Sequence, residues 1–73
     1  MKKGICFLYV KFNDMNEFKG FNAAFGIFTN SRPSMFENTN EVRKFLQKEA
    51  SQNFDVEAMQ LRDVNNNVVF QTV

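Results

Sequence analysis

Very little in this chain of 73 residues is equipped for covalent chemistry. It has no histidine, which removes the side chain that most often serves as a general base near neutral pH and as a metal ligand. Cys6 stands alone, and one thiol without a histidine or a second cysteine makes neither a zinc site nor an activated nucleophile. Gly4, Gly20 and Gly26 have neither dinucleotide-fold nor phosphate-loop spacing. Glu37 with Glu41, and Asp55 with Glu57, could pair for acid–base work, yet such carboxylates are ordinarily solvated surface. These residues predict no enzyme activity, no cofactor and no metal.

Three groups suit recognition instead. Phe7 and Tyr9 beside Lys11 could stack single-stranded bases, as aromatic residues on a sheet surface do. The plainer alternative puts Phe7 in the core and Tyr9 half-buried under a connection or against a second subunit. Arg43, Lys44 and Lys48 could form a phosphate footprint, though Glu41 and Glu49 interrupt it, as on a solvated helix face. Arg32, Met35 and Phe36 combine a guanidinium with two large apolar side chains, a mixture enriched at interface hot spots; alternatively Met35 and Phe36 plug the space beneath a helix entrance. The candidate partner-binding residues are therefore Tyr9, Lys11, Arg32, Met35 and Phe36.

The elements that must position them start with Ile5 to Phe12, apolar everywhere except Lys11. Its length, its aromatic and β-branched content, and the flanking Gly4 and Asn13-Asp14 predict a strand. Cys6, Leu8, Val10 and Phe12 point to one side, and Ile5, Phe7, Tyr9 and Lys11 to the other. Two apolar faces place this strand centrally, its aliphatic face under a helix and its aromatic face half-exposed. Residues 13–20 mix turn formers with a possible single helical turn, Asp14 and Glu17 fitting a capping box. Residues 21–29 alternate as a strand that would pair with the first; a competing helical stripe runs through Met15, Phe18, Asn22 and Phe25, opposed by two glycines.

Residues 30–38 read as a loop around Pro33. Asn38, with Glu41 three residues on, opens a helix over about 39 to 52 with an apolar stripe at Val42, Phe45, Leu46 and Ala50. Phe54 to Asp63 and Val68 to Val73 flank Val64-Asn65-Asn66-Asn67, and asparagine tolerates the left-handed backbone of tight hairpins. The expected fold is α+β, a single domain over 1–73 in ββαββ order, with one helix on a mainly antiparallel four-stranded sheet.

Composition bounds the partners. Nine basic and eight acidic side chains leave a net charge of +1, too little to draw nucleic acid or anionic lipid. The ten phenylalanines and four methionines exceed what one thin core needs, so some are expected at an interface and self-association is expected through the second face of residues 5–12. Met1-Lys2-Lys3 resembles the start of a signal peptide, but the apolar run ends at Phe12 without a small-residue cleavage site, so the chain reads as mature. No run is long enough to span a membrane. A lone cysteine inside an apolar strand suits a reduced, cytoplasmic protein with an inert thiol. Ten asparagines beside ten phenylalanines match AT-rich coding, as in many phage and mobile-element genes. The function read from the sequence is a non-enzymatic protein-binding module, such as a phage-encoded inhibitor or adaptor of a host protein; a single-stranded nucleic-acid binder is the alternative.

Overall fold

A computed structural model describes residues 4–25 and 27–73. The first strand, β1 (Ile5–Phe12), lies at the centre of a five-stranded antiparallel sheet. Cys6, Leu8 and Val10 are at most 1% exposed, whereas Phe7, Tyr9 and Lys11 are half-buried, so the two faces of β1 divide as their side chains predict. One flank of β1 pairs with the long strand Val56–Arg62, setting Leu8 opposite Leu61 and Val10 opposite Met59. All four of these side chains are fully buried, a continuous apolar layer that is the main source of stability in so small a chain.

The other flank of β1 is shared by two short strands, a departure from the four strands expected. β2 (Lys19–Gly20) pairs with Tyr9 and Val10, where the sequence had allowed a helical turn. Met35–Glu37, expected in a loop, pairs with Ile5, Cys6 and Phe7. Two backbone bonds bridge the gap, Leu8 N–H to Ser34 O at 2.9 Å and Phe21 N–H to Leu8 O at 3.2 Å. Pro33 thus ends no pairing: it packs on Gly20, where any Cβ would collide with its ring.

The single strand expected over 21–29 is instead two short strands at 22–24 and 27–29, and neither forms a ladder with β1. They form a separate hairpin of β3 (Asn22–Ala24) and β4 (Ile27–Thr29), with Ala24 opposite Ile27. Short, small-residue strands offer little cross-strand packing to a central strand, so this hairpin is held by its aromatic residues. Phe12 meets Phe21 and Phe28 edge to face at centroid distances of 5.3 and 5.8 Å. Ser34 Oγ accepts from Ala23 N–H at 2.8 Å and fixes its base.

In chain order the next strand, Met35–Glu37, is β5, and it leads into helix α1 (Asn40–Gln52). The helix is capped by Thr39, whose Oγ1 accepts from Val42 N–H at 3.2 Å, rather than by Asn38. Asn38 is engaged elsewhere, its Oδ1 accepting from Arg43 Nε at 2.9 Å. Leu46 is 2% exposed, and Val42 and Ala50 pack beside it, but Phe45 is 50% exposed instead of completing the apolar stripe. The final hairpin is as read: β6 (Val56–Arg62) turns through residues 63–67, with Asn66 at φ 68°, into β7 (Val68–Gln71). Asp63 Oδ1 accepts from the N–H groups of Asn65 and Asn67, both at 2.9 Å, which holds the turn. Gln47 binds the backbone of Val73 through both ends of its amide, tying α1 to the last residues of the chain.

Candidate functional site

The open face of the sheet carries the first pair of candidates. The guanidinium of Arg62 lies 4.2 Å above the centre of the Tyr9 ring, a cation–π contact. It is fixed there by Gln60 Oε1 at 3.0 Å and Asn66 Oδ1 at 3.3 Å, and Gln60 in turn donates to Gln71 at 2.7 Å. A base stacking on Tyr9 would have to displace this arrangement. Lys11 is engaged too, its Nζ 2.7 Å from Glu57. The aromatic face of β1 is therefore dressed by the chain's own polar side chains, which reduces what a second subunit would gain by covering it.

The second set divides between surface and core. Arg32 is exposed and Met35 is 64% exposed, opposite Phe7 on the open face. Phe36 faces the other way, opposite Cys6, and packs against the core. β-strand alternation separates Met35 from Phe36, so the three do not converge on one point. The basic residues of the helix are also divided: Arg43 sits 5.6 Å from the Phe70 ring centre, while Lys44 and Lys48 remain in solvent.

A different feature gathers the surplus phenylalanine. The β3–β4 hairpin and α1 flank a groove of about 180 Å³ over the same face of the sheet. Leu8, Leu46 and Met59 form its floor, and Phe25, Phe28, Phe36 and Phe45 line it. Phe25, at the tip of the hairpin, is fully exposed and has φ 54°. This left-handed conformation is unfavourable for an L residue with a bulky side chain, and such outliers concentrate at functional positions. Ile27, two residues on, is 64% exposed. The wider depression of about 530 Å³ beside Phe12, Asn13, Asp14 and Asp55 is formed largely by polar turn residues and has no comparable apolar floor.

No sequence pattern marks the groove, because residues 21–29 alternate as one strand would. The sequence signal is the glycine after Phe25, since an isolated glycine inside an alternating run marks an interruption of the strand. Cys6, 1% exposed beneath the sheet's own pairing, takes no part. Burial pushes its thiol pKa up, the Asp63 carboxylate adds to this, and Arg43 partly opposes it. Among the described residues no three of the acidic or cysteine side chains gather as a metal site, and no helix is long and apolar enough to cross a membrane. No protein-family model, curated protein or solved structure matches the chain.

Proposed function

We propose that this chain is a small non-enzymatic protein-binding module that engages its partner with the Phe25-tipped hairpin and the groove behind it. One observation carries this reading: a fully exposed phenylalanine is held at φ 54° beside an apolar groove whose floor is the hydrophobic core itself. Stability alone does not favour that residue at that backbone position, whereas a contact surface uses a large, rigid aromatic anchor beside a place where the partner can insert a side chain. Arg32 supplies a further exposed contact at the end of the same excursion of the chain, whereas Met35 lies on the opposite face of the sheet.

The most concrete version is an inhibitor or adaptor that acts on a cytoplasmic host protein and is encoded by a phage or mobile element; its support is compositional, from the asparagine and phenylalanine content and the single cysteine. The nucleic-acid alternative has less support, because Arg62 already covers Tyr9 and Glu57 already engages Lys11. The test is comparative capture from host extract with wild type, Phe25→Asn and Tyr9→Ala as bait. A protein retained by wild type and Tyr9→Ala but lost from Phe25→Asn is expected. Equal capture by all three would overturn the reading.

A further inference from the structure

The groove has one feature that apolar packing does not explain. Helix α1 presents Phe45, Leu46 and Glu49 to it. Glu49 is half-buried, and among the described residues its carboxylate has neither an ion-pair nor a hydrogen-bond partner. Covering such a group with a purely apolar side chain would remove more of its water and return nothing. An occupant that also brings a cation offsets that loss, and the attraction strengthens as water leaves the groove.

Resting on the protein-binding reading above, we infer that the groove takes a partner segment combining a large apolar side chain with a lysine or arginine. The apolar side chain fills the space over Leu8, Leu46 and Met59, and the cation meets Glu49. The volume suits the first part, since an apolar cavity of roughly 150 Å³ takes a benzene ring. Phe45 and Glu49 lie one helical turn apart, about 6 Å along the axis, so the two groups of the occupant have that spacing. An extended segment meets it with residues two apart. A second copy of this chain inserting its own Phe25 does not fit as well, because residues 21–31 contain no charged side chain to answer Glu49.

Three small probes separate the charge preference from the apolar binding: 4-phenylbutylammonium, 4-phenylbutanol and 4-phenylbutyrate, titrated while the methyl resonances of Leu8, Leu46 and Met59 are followed by NMR. The ammonium should bind about fivefold tighter than the alcohol, the effect of a partly exposed ion pair, and the carboxylate should bind weaker than either. In Glu49→Gln the ammonium should fall to the level of the alcohol while the alcohol is unchanged. Equal affinities for all three probes in the wild type would overturn the cation preference and leave the apolar contact standing. No shift of the three residues with any probe would overturn the groove reading on which the preference rests.

Discussion

Replacing Phe25 with asparagine should make the protein more stable and, at the same time, unable to hold its partner. A left-handed backbone costs an L residue about 1–2 kcal/mol, and asparagine escapes part of this through local hydrogen bonding. The Phe25 ring is fully exposed, so removing it surrenders almost no buried area. Asparagine is also among the residues that most readily take this backbone conformation. The net gain works out at about 0.5–1 kcal/mol, which in a chain of this size raises Tm by roughly 2–8 °C. Thermal unfolding followed by circular dichroism measures the shift. A Tm lowered by several degrees would mean that the ring packs against the fold, and the argument from strain would be wrong.

Three further outcomes follow from the same structure. Gly20→Ala places a methyl group against the rigid ring of Pro33 and should cost about 1–3 kcal/mol by overpacking, read from the midpoint of urea unfolding. Phe36→Ala, which strips a side chain packed on the core, should lower stability by about 2–4 kcal/mol, whereas Arg32→Ala, at an exposed position, should stay within about 0.5 kcal/mol of wild type; similar midpoints for the two variants would contradict the placement of Phe36. The Cys6 thiol is held protonated by burial and by Asp63, so its contribution to stability is complete below its ordinary pKa of about 9 and is lost as pH rises above it. Stability measured between pH 8 and 10.5 should fall more steeply for wild type than for Cys6→Ala, and native Cys6 should react with thiol reagents far more slowly than in the unfolded chain.

The parts of the fold legible in the sequence are those where burial and periodicity agree. β1 announces itself because both of its faces are apolar, α1 because Val42, Leu46 and Ala50 recur at helical spacing, and the last hairpin because three asparagines mark its turn. The edge of the sheet was harder to read. β2 and β5 are two and three residues long, too short for any period, and their pairing depends on a backbone bridge through Leu8, Phe21 and Ser34 that no local pattern encodes. Among the candidate residues, alternation along β5 separates Met35 from Phe36, and the contact of Arg62 with Tyr9 arises from the β1–β6 register, which no local pattern encodes. The groove is a tertiary feature, left between a helix and a hairpin that approach the same face from distant parts of the chain.

The central claim, that Phe25 and the groove form the contact surface, is tested most directly by placing the photo-crosslinking analogue p-benzoylphenylalanine at position 25 and irradiating in the cells that produce the protein. Position 54 is the control, because Phe54 is 90% exposed but does not line the groove. The account predicts a discrete protein adduct from position 25 that is absent from position 54 and is lost when Glu49→Lys is introduced beside the crosslinker. The same adducts from both positions, or adducts from position 54 alone, would contradict it.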